Sequence, residues 1–418
     1  MKKLIIILMI LTWIWGNPQL SYATSTQVDA LIKKLVEKGI LDKKEALELK
    51  TEIAADEKIL REDGLKQSLP SWLSTVKIKG DFRTRVQYER KKNDTEAQAR
   101  GRIRYRLGVE GKVNDQVKVG AGLASGSADP RSTNQTFTDS FQHPDIRLDY
   151  AYAEYQPSPW AKIVGGKYLR SEYLWTPTDL LWDSDLNPEG GAVNLKHKLS
   201  EKAEIFINSG INVLDENGKT DKPDPFMYYF QAGNKWKNER YDATLAAIAY
   251  KFGGIEDIKL DHTACTNSGL SGSSSSCSGT LINDYDSIGS SMEIGVLKPF
   301  GLSLTRLAVF GDFIHNFDPE GKAGGWAAGV KLGDKKVVGP RQWQLKYQYS
   351  YLGKDAFPDI FPDSDRYGGA TDTAGHEVVF EYGLMKNVAL GIDYYQDHRI
   401  MGTKNPNKLI QADINFKF

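Results

Sequence analysis

From Val76 to the end of the chain, hydrophobic and polar residues trade places at nearly every step. In "RQWQLKYQYSY", Trp343, Leu345, Tyr347, Tyr349 and Tyr351 fall on one face, with Gln342, Gln344, Lys346, Gln348 and Ser350 on the other. In "HEVVFEYGLM", Val378, Phe380, Tyr382 and Leu384 oppose Glu377, Val379, Glu381 and Gly383. The closing "KLIQADINFKF" sets Ile410, Ala412, Ile414, Phe416 and Phe418 against Gln411, Asp413, Asn415 and Lys417. A period of two is that of a β-strand with one apolar and one wet face. Sixteen such segments are expected, beginning near residues 76, 100, 115, 146, 160, 190, 202, 226, 240, 285, 301, 325, 340, 375, 387 and 407. Those near 146, 160, 240 and 301 do not reveal their apolar face, and register bulges are the expected cause.

The connections alternate as well. After even-numbered segments they are short: "VNDQ", "PSP", "LSEK", "KNE", "KPFG", "DKKVVG" and "MKN". After odd-numbered ones they are longer and rich in Gly, Asp, Asn and Ser, as at 125–145, 170–189, 253–284 and 352–374. A soluble sandwich has no reason to gather its long loops at one end, whereas an up-and-down barrel in a membrane does. In lipid the whole backbone must be paired, so the sheet has to close without a free edge. About ten tilted residues, each rising about 3.3 Å, cross a hydrocarbon band about 25 Å tall. The expected fold is all-β: a transmembrane antiparallel up-and-down β-barrel of about sixteen strands. An even strand count returns both ends to the short-turn side. Tyr394 with Tyr395, and Phe416 with Phe418, suit interfacial aromatic girdles.

Before Val76 the pattern differs. "MKK", the apolar run "LIIILMILTWIW" and the small residues Ser21 and Ala23 have the layout of a secretory signal, with cleavage expected after Ala23. The run is too short to span a bilayer comfortably. Residues 24–70 carry helical spacing: Val28, Leu31, Ile32, Leu35 and Val36 in a first helix with Gly39 as its cap. Ala46, Leu49, Ile53 and Leu60 follow in a second, with Asp56 interrupting the seam and Asp42 and Glu45 forming a capping box. The narrow stripe fits a coiled coil, a docking element, a mobile arm or a self-packed hairpin, and the sequence does not choose among these. The expected organisation is signal peptide 1–23, periplasmic helical segment 24–70 and barrel 71–418.

Lys plus Arg and Asp plus Glu each number 54, so net charge points to no polyanionic partner. No basic surface motif suggests nucleic-acid binding. The two cysteines, Cys265 and Cys277, bracket "TNSGLSGSSSS" in the longest loop; export favours a disulfide, with free thiols as the alternative. A metal site is not expected, because only His262 lies close to them. The six histidines sit in no HExxH motif and the chain has no G-x-S-x-G elbow, so neither catalysis nor a cofactor is expected.

The signal layout, the helical preface, the alternating strands and the terminal "INFKF" resemble an outer-membrane porin of Gram-negative bacteria. More narrowly, "VDALIKKLVEKGILDKKEALEL" with "KIKGDFRTRVQYE" and "RGRIRYRLGVEGKV" is similar to the family of putative porins. The resemblance implies an outer-membrane address, lipid around the barrel and passive diffusion of small hydrophilic solutes and ions. It also implies that Phe416 and Phe418 belong to a terminal signal read by the barrel-assembly machinery. A homotrimer follows only by analogy with related porins.

The lumen holds the candidate chemistry. If Val76, Ile78, Phe82, Val86 and Tyr88 face lipid, then Lys77, Lys79, Asp81, Arg83 and Arg85 face the bore. On the neighbouring strand Arg102, Arg104 and Arg106 point inward, with Arg100 above them. Such a basic ladder biases a pore towards anions unless acids on other strands balance it. In the third long loop, "RSEYLWTPTDLLWDSDLNPEG", Glu172, Asp179, Asp183, Asp185 and Glu189 surround Trp175 and Trp182. By resemblance to general porins, that loop folds inward and sets its acids against the arginines; an exterior loop covering the rim is the alternative. Two other functions stay open at this level: a specific channel for phosphate or small carboxylates, and a barrel enzyme or adhesin working through its long loops.

Overall fold

The computed structural model describes residues 32–38, 42, 44–51, 75–91, 96–138, 140–218, 224–301, 304–319 and 321–418. The expected signal peptide, Gly39, Ile53, Asp56 and Leu60 lie outside these residues. The chain divides into two units, Met1–Ser74 and Thr75–Phe418. In the first, residues 32–37 and 44–51 are helical. Asp42 Oδ1 accepts the Glu45 amide at 2.8 Å and Glu45 Oε2 accepts the Asp42 amide at 2.9 Å, a reciprocal cap. No helix among the described residues is long and apolar enough to cross a membrane.

The second unit is built from strands. In chain order they are β1 (Lys77–Lys91), β2 (Gln98–Lys112), β3 (Val117–Ser125), β4 (Gln135–Thr136), β5 (Ile146–Ser158), β6 (Ala161–Lys167) and β7 (Glu189–Lys198). Then come β8 (Ala203–Val213), β9 (Phe226–Lys237), β10 (Tyr241–Gly253), β11 (Leu270–Ser271), β12 (Ser278–Gly279) and β13 (Ser287–Leu297). The last are β14 (Arg306–Asn316), β15 (Gly324–Gly333), β16 (Trp343–Leu352), β17 (Thr373–Met385), β18 (Val388–Arg399) and β19 (Asn407–Lys417). β11 and β12 pair only with each other, and two-residue β4 is a short addition to the upper part of β2. The other sixteen pair antiparallel with their neighbours, and β19 returns to β1 with Asn415 opposite Arg83 and Ile410 opposite Tyr88. This closes the barrel.

At the seam the last residue is bonded into the wall. Gly80 N donates to Phe418 O at 2.8 Å and Phe418 N to Gly80 O at 3.0 Å. The Phe418 ring lies where a Gly80 side chain would begin, 2.6 Å from a built Cβ, so glycine is needed for this close approach.

Outward positions such as Ile78, Val86, Ile163, Phe230, Leu245 and Ile410 leave large apolar side chains exposed around the barrel. A monomer in water rarely presents so continuous an apolar face, whereas lipid accommodates it. Tyr395, expected in an aromatic girdle, instead points inward at 5 % exposure and donates to Asp363 at 3.1 Å. Adjacent strand residues must face opposite sides, so only Tyr394 of that pair remains outside.

The four segments of ambiguous facing have two explanations. The pairings of β5 with β3 and β6 carry register shifts at Gly122/Leu123 and Tyr155/Ser158, and Pro157 lies within β5 rather than in the turn. β10 and β14 are regular but turn apolar side chains inward: Ile248, Tyr250 and Phe252 on one, Phe310 and Ile314 on the other. Their alternation is blurred because the lumen beside them is dry. The strand expected near 301 starts at Arg306, since Pro299–Gly301 winds into a 3-10 turn.

Candidate functional site

Inward positions of β1 and β2 bring six arginines onto one patch of wall: Arg83, Arg85, Arg100, Arg102, Arg104 and Arg106. The register sets Arg83 opposite Arg104 and Arg85 opposite Arg102. Like charges opposed on paired strands repel, so the patch needs acids. Asp413 of β19 takes two bonds from Arg85, at 2.7 and 2.8 Å, and lies 3.6 Å from Arg83. Asp81 accepts Arg104 Nε at 2.9 Å and Arg106 Nε at 2.7 Å. Glu89 holds Arg100 at 2.9 Å, and Glu110 holds Lys79 at 2.6 Å. Arg102 donates to Gln87 Oε1 at 3.1 Å, and Lys77 is exposed at the start of β1.

The remaining acids come from loops. Asp185 of the 168–188 loop lies 3.1 Å from Arg106 and 3.8 Å from Arg104, while Thr133 donates both its amide and its hydroxyl to it. Asp365 of the 353–372 loop lies 3.1 Å from Arg85.

The 168–188 loop crosses the bore. After the one-turn helix Arg170–Tyr173, Trp175 N donates to Gln231 Oε1 on β9 at 3.0 Å, and Gln231 Nε2 returns a bond to Trp175 O at 2.8 Å. Thr178 then bonds Asp312 of β14 through both its amide and its hydroxyl. Trp182, fully buried, donates Nε1 to Tyr250 OH of β10 at 2.9 Å and meets Phe361 edge-on at 4.7 Å between centroids. The loop finally reaches β2 through Asp185.

The loop does not fill the lumen alone. Phe357 and Phe361 of the 353–372 loop pack with Trp182, Tyr250, Phe252 and Ile314 in one buried apolar cluster. Asp359 from the same loop accepts bonds from Thr263 Oγ1 at 2.5 Å and the Thr266 amide at 2.6 Å, both in the 254–286 loop. Asp355 does the same for the Ser268 amide at 2.7 Å and Ser268 Oγ at 2.6 Å. The sequence shows this second loop as a long connection at 352–374 but does not by itself predict that it folds inward. Its signal is "DAFPDIFPD", in which Phe-Pro-Asp recurs after four residues: Phe357, Pro358 and Asp359, then Phe361, Pro362 and Asp363. Cys265 and Cys277 are disulfide-bonded within the 254–286 loop, where β11 and β12 pair as a small hairpin with Cys277 just before β12.

The predicted loop acids separate. Asp185 meets the arginines. Asp183 accepts the amides of Asp185 and Ser364, at 2.9 and 2.8 Å, joining the two infolded loops. Asp179 is half-buried at the same junction, its peptide oxygen accepting the Asp363 amide at 3.3 Å. Glu172 lies 3.4 Å from Lys162, away from the arginines. Glu189 does not belong to the loop. It begins β7 on the outward side, exposed and 2.7 Å from Lys167, because the strand starts one step earlier than the loop boundary assumed.

Charge at the junction is uneven. Burial, with Asp185 next to it, pushes the Asp183 carboxyl up to about 8. Burial and then Asp183 hold Asp363 well above the usual carboxylate range. Burial would also raise Asp185, but Arg104 and Arg106 outweigh it and bring it down to about 2. The folded junction therefore keeps a proton on Asp183 from about pH 4 to about pH 8, where a released loop would have lost it. In that window the junction weakens as pH rises, while the Asp185 anchor is lost only on acidification below about pH 4. Acrylamide quenching of tryptophan in the folded protein should accordingly increase between pH 6 and pH 9. Asp183→Asn should flatten that rise, and an identical pH response in the variant would contradict the assignment.

Two cavities adjoin the loop towards the short-turn end, with Ser171 bordering both. One, of about 500 Å³, is lined by Asp81, Arg106, Arg170 and Asp185. The other, of about 300 Å³, is lined by Lys162, Lys196 and Lys235. Among the described residues, no three His, Cys, Asp or Glu side chains are grouped to hold a metal ion.

The family model for putative porins matches residues 88–284 and 282–418. Among solved structures, OprB of Pseudomonas putida at high pH aligns with a TM-score of 0.52 and 10 % identity, covering 82 % of this chain and 94 % of that one. A triple mutant of the Rhodopseudomonas blastica porin gives a TM-score of 0.43 at 11 % identity, covering 82 % and 100 %. The outer-membrane channel DcaP of Acinetobacter baumannii gives 0.45 at 13 %, covering 82 % and 97 %. No curated protein matches the chain.

Proposed function

The chain belongs to the family of putative porins, and from that premise we propose that it forms a water-filled channel through the bacterial outer membrane for passive diffusion of small hydrophilic solutes and ions. The observation that carries this reading is a closed barrel, apolar outside, whose bore is charged along β1, β2 and β19 and is crossed by the 168–188 loop. Lipid surrounds the barrel, and the short-turn end faces the periplasm because both ends of the sheet lie there. Phe416 and Phe418, on the strand that completes the seam, serve as the address read by the assembly machinery. The infolded loops set the width of the route and hold out large solutes.

The arginine patch supports a structural role better than a stepwise anion site. Arg83, Arg85, Arg100, Arg104 and Arg106 each have an acid within 4.0 Å, and two of those acids arrive on loops. The wall thus anchors the loops through these pairs.

Purified protein inserted into planar bilayers should give ohmic conductance steps, and liposomes containing it should swell in small sugars at rates that fall with sugar size. Inserted, folded protein that yields neither would overturn the channel reading.

A further inference from the structure

We propose that the wall formed by β6, β7, β8 and β9 at the short-turn end carries a binding site for a small polyhydroxylated carboxylate, centred on Lys196; this rests on the channel reading and names a solute class for it.

Alternation places Lys162, Asn194, Lys196, Phe206, Asn208 and Lys235 on the inner face of four successive strands, around the cavity of about 300 Å³. From β6 to β9 is three strand spacings, about 14 Å, so side chains about 6 Å long converge over the strands between. The lysines differ in their partners. Lys162 lies 3.5 Å from Glu154 and 3.4 Å from Glu172, and Glu154 also serves Lys118 at 3.4 Å. Lys235 lies 3.8 Å from Glu204 and over the Phe206 ring. Lys196, set between them, has no acid within ion-pair distance among the described residues. An ammonium flanked by two others and lacking a counter-ion favours an anion in the cavity beside it. The arginine patch, by contrast, has its acids in place.

The remaining lining tells what kind of anion. Asn194 donates to Asn208, and Asn208 Nδ2 to Gln231 Oε1 at 2.9 Å, giving a fixed chain of amides suited to hydroxyl groups. Trp175 and Phe206 add apolar surface, for which an inorganic ion has no use. The volume equals roughly ten water molecules at about 30 Å³ each, enough for a solute of six carbons or fewer. Glu172 holds Lys162 from the loop side, so an incoming carboxylate competes with it.

The test is block of chloride current through single channels in planar bilayers, with gluconate, inorganic phosphate and glucose as probes. Gluconate should interrupt the wild-type current at lower concentration than phosphate or glucose. Lys196→Gln should weaken that block at least about tenfold, as expected for losing one charge-assisted contact, and Lys196→Arg should retain most of it. Gluconate without effect on a conducting wild type, or equal block in Lys196→Gln, would overturn the site and leave the channel reading standing. Phosphate blocking as strongly as gluconate would overturn the carboxylate assignment. Absence of any conductance from inserted protein would overturn the channel reading, and this proposal with it. Should Lys196→Gln fail to insert, Lys196→Ser supplies the comparison, with gluconate block equal to that of the wild type overturning the proposal.

Discussion

Trp182→Ala should open the channel. The side chain is fully buried where the 168–188 and 353–372 loops meet, bonded to Tyr250 and packed on Phe361. Truncating a buried aromatic typically costs about 3–5 kcal/mol. Here that cost falls on the loops, because strand pairing around the barrel does not pass through Trp182. The variant should therefore insert in normal amount, and its single-channel conductance should rise together with protease cleavage within the two loops. Trp182→Phe, which keeps the edge contact but loses the bond to Tyr250, should lie between. Conductance and cleavage indistinguishable from the parent would show that this cluster does not hold the loops in the bore.

Asp185→Asn should act on charge as well as width. The carboxylate neutralises Arg104 and Arg106 and receives two bonds from Thr133. Removing one partner of a buried pair commonly costs about 3–5 kcal/mol. The lower end is expected, since the Arg106 side chain is 31 % exposed and partly screened. The amide keeps the shape but leaves Asp81 alone to balance two arginines. In a salt gradient the reversal potential should move towards that of chloride, and Asp185→Glu should restore most of the parental value. No movement would mean that ions do not pass this part of the wall.

The barrel was legible because its strands have a dry side and a wet side, and the two alternate. Where that condition holds, as in Trp343–Leu352 and Asn407–Lys417, face and extent could be read directly. It fails at β10 and β14, whose inner faces are apolar because folded loops cover them. A strand with two dry sides does not disclose which is which. The arginine patch was visible for the same reason as the strands. Its neutralisation was not, because Asp413 is 328 residues from Arg85 and Asp365 is 280 residues away. Local spacing cannot report such partners. Glu189 and Tyr395 were misplaced by a single step each, which in a strand is enough to reverse the side. The repeated Phe-Pro-Asp in the 353–372 loop was written in the chain, but a rigid proline-bearing turn reads equally well as an exterior loop. Only the apolar inner faces of β10 and β14 show where its phenylalanines go.

The pairing of β1 with β19 joins charge as well as backbone. Arg83 and Arg85 belong to the first strand, and their shared counter-ion, Asp413, to the last. Without the last strand Arg83 and Arg85 would lose the acid they share, and Arg85 would keep only Asp365 of the 353–372 loop. Fusing the first and last strands satisfies hydrogen bonds and charge in the same stroke. Closure thus gives the first strand the charge partner that its own sequence lacks.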